Sequence, residues 1–293
     1  TALLSHLSTK HPEAKFTIAC GPQAAPLFGE TPYVVKVIAL EKRRASLHWL
    51  GLWRACCTSY WDLVVDLRAS AISYCLMTHR RMVWRNSNSV THRLVSLAGL
   101  AGLGETPAPQ LCTGTAQRGA AEKLLQAEGG PVLALGPTAN WRGKQWPGGN
   151  FSELALRLTA EDGILPGARI VILGAASEHG DAMAAIEALP AERVIDLVGK
   201  LDLLTASALL SRCAIYIGND SGLMHIAAAS GVPTLGLFGP SKEAHYAPWG
   251  AHTAVVRTAL AYDDLVGGPG YDHRTTGNLM ESLSVDMAEA GAR

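Results

Sequence analysis

The run Asp220-Ser221-Gly222, with His225 three residues later, carries the clearest chemical potential in this chain. A carboxylate such as Asp220 accepts hydrogen bonds from hydroxyl groups, as on a sugar. Ser221 can bond a phosphate oxygen or cap a helix, Gly222 lets a ligand approach the backbone, and His225 can donate to an anionic oxygen. The pattern predicts a site for a phosphorylated sugar compound. The plainer alternative is that Asp220 and Ser221 only cap a helix and that His225 is a partly buried helix residue.

Two short apolar segments flank this run and predict the strands that hold it. Residues 214–217 and 234–238 are each bounded by turn residues, as buried parallel strands are. The alanine-rich stretch between them ends at Gly231 and predicts a helix. A strand–helix–strand unit crosses over right-handed, so both loops lie at the carboxyl edge of the sheet, where open α/β folds bind ligands. The helix start presents N–H groups and partial positive charge, which suit a diphosphate.

A long polar loop, residues 136–147, follows an earlier predicted strand in the same way. Its Thr138 and Lys144 can hold a diphosphate, the lysine as a mobile point charge. The alternative is a solvated loop that is pinned by Trp141 and Trp146. Because carboxyl ends of parallel strands share one edge, we expect this loop to lie beside the first one.

The predicted strand at 169–173 is followed by a loop that contains Glu178. A carboxylate there can accept hydrogen bonds from ribose hydroxyls, although the helix dipole also favours an acid at a helix start. The loop lacks a G-x-G-x-x-G pattern, which disfavours a nicotinamide-dependent enzyme. A fourth loop, residues 239–241, follows the strand at 234–238 and completes the predicted edge.

The run Asp-Ser-Gly-Leu-Met-His-Ile-Ala-Ala-Ala at 220–229, followed by Gly-Val-Pro and Leu-Phe-Gly-Pro-Ser, resembles the signature of glycosyltransferase family 9. These are the heptosyltransferases of lipopolysaccharide assembly, and the similarity is strongest over residues 136–248. The resemblance implies an α/β fold of the GT-B type: two Rossmann-like, doubly wound domains whose parallel sheets face a central cleft. It also implies inverting, metal-independent transfer of a heptose from an ADP-sugar to a lipid-linked oligosaccharide of the inner core, by a monomer without a cofactor. A nucleotide-sugar-binding pseudoenzyme and a GT-B sugar-nucleotide epimerase are the alternatives.

The resemblance assigns roles to individual residues. Those implied to bind the donor are Thr138, Lys144, Glu178, Asp220, Ser221, Gly222 and His225. The family's proposed base is the Asp of an opening Gly-Asp loop, which nothing in residues 1–10 matches, so no catalytic residue is assigned. We therefore interpret the chain as a truncated fragment or a degenerate homologue. We expect it to bind a nucleoside diphosphate without transferring sugar at a useful rate.

A basic cluster in the first half of the chain includes Arg80, Arg81 and Arg85. These arginines could contact the phosphates and acidic sugars of an acceptor, or they form a solvated face. Asp62 and Asp66 flank a predicted strand nearby. They could be catalytic carboxylates, although acids at such positions are more often strand-end caps or ion-pair partners.

Composition narrows the range of functions. Lys and Arg number 25, as do Asp and Glu, so no net charge attracts nucleic acid or an anionic membrane. The six cysteines show no C-x-x-C spacing and are interpreted as buried free thiols. No Asp-x-Asp or His-x-x-x-His pattern predicts a metal site.

No apolar run is long enough to span a bilayer, and no signal peptide is recognised. We expect a cytoplasmic protein, and the resemblance implies peripheral contact with the cytoplasmic face of the inner membrane.

The order of predicted elements divides the chain into domains. Strands alternate with helices, which predicts parallel sheets. We predict a first domain at 1–103, a linker rich in Gly, Pro and Thr at 104–119, and a second domain at 120–275. The remaining residues, 276–293, contain a predicted helix at 279–290, which by analogy with GT-B folds returns to the first domain.

Overall fold

A computed structural model of the chain describes residues 1–85, 90–125, 130–268, 271–272 and 275–293. It divides into two compact units, Thr1–Cys112 and Thr113–Arg293, which we name unit 1 and unit 2. The division falls inside the segment 104–119 that the sequence predicts as a linker. No helix in the described ranges has the length and apolar character needed to cross a membrane.

The described residues of unit 1 form three α-helices and four strands. These are α1 (Ala2–Lys10), β1 (Phe16–Cys20), β2 (Val34–Ala39), α2 (Leu47–Cys56), β3 (Trp61–Asp66), β4 (Thr78–Val83) and α3 (Arg93–Leu100). The pairing is parallel, as predicted, but β1 pairs with β2 and β3 with β4, so the described strands form two separate two-stranded sheets. Strand β4 begins with the polar run Thr-His-Arg-Arg, so its first four residues lack the apolar character that is typical of a buried strand.

Unit 2 is built around one sheet of six strands. Its elements are α4 (Thr115–Leu125), β5 (Val132–Gly136), α5 (Gly148–Leu158), β6 (Arg169–Ile172), α6 (His179–Ile186), β7 (Val194–Asp196), α7 (Leu203–Leu210), β8 (Ile215–Asn219), α8 (Gly222–Ser230), β9 (Thr234–Phe238), α9 (Glu243–Tyr246), β10 (Thr253–Arg257), α10 (Tyr262–Val266) and α11 (Val285–Ala292). All neighbouring strands are parallel, in the order β10-β9-β8-β5-β6-β7. The chain runs from β5 out to β7 and then returns to the other side of β5. The order therefore reverses between β5 and β8, where such sheets bind ligands.

The strands of unit 2 form because their residues are apolar without interruption. Every residue of β5 and β9 is buried, which is characteristic of parallel strands with helices on both faces. Strand β9 has the bounds that the sequence predicts. Helix α8 ends as predicted, at Gly231, whose φ of 85° is a left-handed conformation that glycine adopts without strain.

Helix α11 corrects one prediction. The sequence assigned it by analogy to the first domain, but the structure groups it with unit 2. Val285 and Ala288 belong to the same buried cluster as β5 and β9, and Arg157 of α5 pairs with Asp286 at 2.6 Å and with Glu289 at 3.2 Å. The apolar face of a helix can pack against any hydrophobic core within its reach, and the sequence pattern alone does not identify which core that is.

The cysteines also differ from their predicted environment. All six are free thiols, but only Cys56 and Cys213 are buried. Cys75 is exposed because it ends a short 3-10 segment on the surface of unit 1 rather than a buried helix. Burial raises the pKa of the Cys213 thiol to about 12, so this thiol stays protonated.

Gly136 provides a stability prediction. It pairs with Gly218 across β5 and β8, and a Cβ at residue 136 would overlap the hydroxyl of Tyr216. We expect Gly136→Ala to lower the free energy of unfolding of unit 2 by about 1–3 kcal/mol, as overpacking does in a dense core. The matched control is Gly149→Ala in α5, where an added Cβ meets no described atom within 4 Å. Equal urea midpoints for the two variants would contradict the prediction.

Candidate functional site

The loops that follow β5 and β8 meet at the point where strand order reverses. Lys144 ends a 3-10 turn in the first loop, and Asp220 directly follows β8. The Lys144 Nζ atom lies 2.6 Å from Asp220 Oδ2, and the side chains are 22% and 7% exposed. The sequence assigned these residues separately, to a diphosphate and to a sugar, whereas the structure joins them. An ammonium has three donors and this contact uses one, so the pair can still bind a ligand.

The start of α8 lies directly after Asp220. Ser221 occupies the N-cap position with an extended backbone, but its side chain makes no capping hydrogen bond. The alternative in which Ser221 serves only as a cap is therefore wrong. Gly222 is exposed, and a Cβ there would meet no described atom within 4 Å, so the first turn of the helix is open to a ligand. His225 is exposed on the same helix, one turn further along.

Thr138 and Glu178 are brought together from the loops after β5 and β6. The Thr138 hydroxyl donates to Glu178 Oε2 at 2.7 Å, and the same oxygen accepts from the Ala175 N–H at 3.1 Å. Thr138 is buried, while Glu178 is half-buried at the start of α6. A Cβ at Gly174 would lie 2.8 Å from the Thr138 hydroxyl oxygen, so this glycine makes room for the contact. Thr138 therefore ties two loops together, and Glu178 is the more accessible of the two.

Asn219 is a site residue that sequence reasoning missed. It is fully buried at the end of β8, where its Oδ1 accepts from the Trp146 backbone N–H at 3.0 Å. Its Nδ2 donates to the Pro137 carbonyl at 2.8 Å. One side chain thus fixes both ends of the loop that carries Lys144. The sequence feature that could have indicated this role is an asparagine at the end of an otherwise apolar strand, directly before Asp220.

The same loop is held from the C-terminal segment. Trp146 is 1% exposed, and its Nε1 donates to the Leu283 carbonyl at 2.8 Å. The Leu279 N–H donates to the Gly143 carbonyl at 3.2 Å. Trp146 therefore pins this loop, as in the alternative interpretation of the sequence, and the same loop also carries Lys144 and its contact with Asp220.

A second polar group that the sequence analysis missed lies at the carboxyl end of β7. Asp196 Oδ2 lies 3.0 Å from Lys200 Nζ and 3.2 Å from His179 Nε2, and Asp196 Oδ1 accepts from the Val198 N–H at 3.0 Å. Burial opposes ionisation of Asp196, but these hydrogen bonds outweigh it and hold its pKa below the usual value. The contacts connect the loops after β6 and β7.

In unit 1, the basic cluster separates into different environments. Arg81 donates from Nε to the Ser73 carbonyl at 2.7 Å and from Nη2 to the Leu76 carbonyl at 3.0 Å, so its guanidinium supports the local fold. Arg80 and Arg85 are exposed and suit contact with an anionic molecule better.

Asp66, the other acid flagged in unit 1, acts as a turn cap. Its carboxylate accepts from the Arg68 N–H at 2.9 Å and from the N–H and hydroxyl of Ser70 at 2.7 and 2.8 Å. Burial opposes ionisation, but these bonds and one from Ser73 keep the pKa of Asp66 below its usual value. Asp62 is exposed. Across the described parts of both units, no three His, Cys, Asp or Glu side chains gather in a metal-binding group.

Comparison with known proteins places this arrangement in a family. The family model described as "Glycosyltransferase family 9 (heptosyltransferase)" matches residues 65–265, more than half of the chain. The chain belongs to glycosyltransferase family 9. The matched region of this family 9 chain includes the three loops that hold Lys144, Glu178 and Asp220.

Relatives of known name agree with the family assignment. Lipopolysaccharide heptosyltransferase 2 of Salmonella typhimurium is 30% identical over 172 residues, which are 55% of this chain and 48% of that protein. The chain spans about half the length of the first curated relatives that it matches.

Solved structures confirm the predicted fold class, α/β of the GT-B type. The family 9 glycosyltransferase of Veillonella parvula has a TM-score of 0.79 at 19% identity, and covers 99% of this chain and 91% of its own. The E. coli ADP-heptose lipopolysaccharide heptosyltransferase II has a TM-score of 0.76 at 20% identity, and covers 99% of this chain and 92% of its own. The parallel sheet of unit 2, with its strand-order reversal, is the Rossmann-like element expected in this family 9 fold.

Proposed function

We propose that this chain binds a nucleoside diphosphate sugar at the strand-order reversal of unit 2 and serves inverting transfer of a heptose from ADP-heptose to a lipopolysaccharide inner-core acceptor. The observation that carries the proposal is the Lys144–Asp220 ion pair, which adjoins the open first turn of α8. A cation, a carboxylate and a helix start together match a ligand with a diphosphate and several hydroxyl groups.

Each group has a role in the proposed reaction. When the bond between the sugar and the diphosphate breaks, negative charge grows on the diphosphate. Lys144 and the N–H groups at the start of α8 stabilise that charge, which is a large term in catalysis when the groups are already in place. Asp220 accepts hydrogen bonds from sugar hydroxyls, and Glu178 accepts them from the ribose. No metal ion is required in this scheme, because Lys144 and the helix start neutralise the leaving group.

The comparisons support the donor and acceptor in this proposal. A structural neighbour is named for ADP-heptose, and the relatives are named as lipopolysaccharide or lipooligosaccharide heptosyltransferases. An inner-core acceptor that carries phosphates and acidic sugars is anionic, and we propose that the exposed Arg80 and Arg85 of unit 1 bind it.

Calorimetric titration with ADP, UDP and GDP, in the presence of EDTA, tests the donor site. We expect ADP to bind most tightly, and we expect its affinity to fall when NaCl is raised from about 0.05 to 0.5 M, because salt screens the attraction between Lys144 and a diphosphate. Sodium sulfate at matched ionic strength is the control for competition by a small anion. A folded sample that binds none of the three nucleotides would refute the proposed function.

A further inference from the structure

Tyr216 lies on β8 directly below the Asp220–Gly222 turn and is fully buried. A Cβ at Gly136 or at Gly218 would overlap its hydroxyl. These two glycines are register partners at the carboxyl ends of β5 and β8. The phenol therefore reaches along its strand to the strand-order reversal, and its hydroxyl ends beside the candidate donor site.

No hydrogen bond of ordinary distance and angle reaches this hydroxyl within the parts of the chain that the structure describes. Leaving a buried hydroxyl unpaired is unfavourable, and a phenylalanine would fill the same space without that cost. Burial raises the pKa of the Tyr216 phenol well above its ordinary value; a neighbouring Ser221 side chain lowers it and the Glu178 charge raises it further. Tyr216 therefore stays protonated and can act as a donor.

Ser221 supplies a polar side chain that interacts with this hydroxyl. Its side chain makes no capping bond, and it neighbours the Tyr216 phenol as a hydrogen-bonding group that lowers the pKa of the phenol. A hydroxyl can accept one hydrogen bond while it donates another. A diphosphate oxygen can only accept, so a ligand at the start of α8 fixes the direction in which the Ser221 proton points.

We propose that Tyr216 is a positioning residue of the donor site: its hydroxyl donates to Ser221 Oγ when Ser221 donates to an oxygen of a bound nucleoside diphosphate. This inference rests on the proposed function, and it adds a buried residue that never touches the ligand. The two hydrogen bonds, from Tyr216 to Ser221 and from Ser221 to the phosphate, strengthen each other, because the Ser221 hydroxyl is polarised by both of its partners.

The test is a double-mutant cycle with Tyr216→Phe and Ser221→Ala, read as the Kd for ADP. We expect each single variant to bind ADP about 2- to 12-fold more weakly, which is the range for one neutral hydrogen bond. The double variant should bind no more weakly than Ser221→Ala alone, because the phenol acts only through Ser221. The melting temperature of Tyr216→Phe should be unchanged or higher, which a merely structural tyrosine would not allow. Tyr60→Phe, at an exposed tyrosine of unit 1, is the control.

Two results would overturn the inference while the proposed function stands. One is an ADP affinity of Tyr216→Phe that equals the wild-type value. The other is a fully additive cycle, in which Tyr216→Phe weakens binding equally with and without the Ser221 hydroxyl. If the wild-type chain binds no ADP, the proposed function fails and this inference fails with it.

Discussion

We expect the Lys144→Met variant to bind ADP about 10- to 150-fold more weakly than the wild-type chain. Hydrogen bonds to a charged group contribute about 1.5–3 kcal/mol, and Lys144 is the cation that the structure places beside the start of α8. Methionine keeps the length and apolar character of the lysine stem, so the loss reports on the charge. The variant also leaves the buried Asp220 carboxylate unpaired, and we expect its melting temperature to fall.

The Asp220→Asn variant separates binding from transfer. Asparagine keeps an oxygen that accepts from Lys144 but removes a negative charge close to the diphosphate. We therefore expect ADP to bind equally well or a few-fold more tightly, whereas transfer by an active form falls sharply because a neutral amide holds sugar hydroxyls less strongly. The double variant Lys144→Met/Asp220→Asn should regain the lost melting temperature but not the lost affinity.

Calorimetry and thermal unfolding on these variants give the measurement. Lys123→Met is the charge-matched control, because Lys123 is exposed on α4 and should not change the Kd for ADP. If Lys144→Met and Lys123→Met bind ADP equally well, the diphosphate is held elsewhere and the site assignment is wrong.

The second large effect is expected from Asn219→Ala. This change leaves the Trp146 N–H and the Pro137 carbonyl, both in buried surroundings, without their partner. Each unsatisfied group costs about 1–3 kcal/mol, so we expect unit 2 to lose about 2–6 kcal/mol of unfolding free energy. ADP binding should weaken as well, because Lys144 lies on the loop that Asn219 holds.

Hydrogen exchange followed by mass spectrometry localises that effect. Backbone amides of residues 138–146 should exchange faster in Asn219→Ala than in the wild type. Asn140→Ala is the control, because Asn140 is exposed in the same loop. Unchanged exchange in this loop, or equal destabilisation by both variants, would contradict the bridging role of Asn219.

The sequence predicts the frame of unit 2 because buried parallel strands produce a simple pattern. Strand β9 matches its predicted bounds, and the polar runs after β5, β6 and β8 come to one edge of the sheet, as parallel strands require. The apolar pattern of each strand is local. Because parallel strands end at the same edge of a sheet, recognising the strands is enough to place all three loops together.

The pairings within the site could not be predicted in the same way. Lys144 and Asp220 are 76 residues apart, and whether two side chains meet across an edge depends on the reach and direction of each. Thr138 was expected to face a ligand but donates to Glu178, since its loop turns the hydroxyl toward the next strand. Helix α11 was misplaced because an apolar helix face identifies no particular partner. Tyr216 resembled any other residue of an apolar strand.

The loop between Pro137 and Trp146 is anchored at several points by Asn219 and by backbone and indole bonds to the segment at 279–283. Its conformational entropy is therefore lost when the chain folds and not when a ligand arrives. A ligand that meets such a preorganised loop gives up mainly its own freedom of motion, so little of the contact energy is spent on ordering the protein.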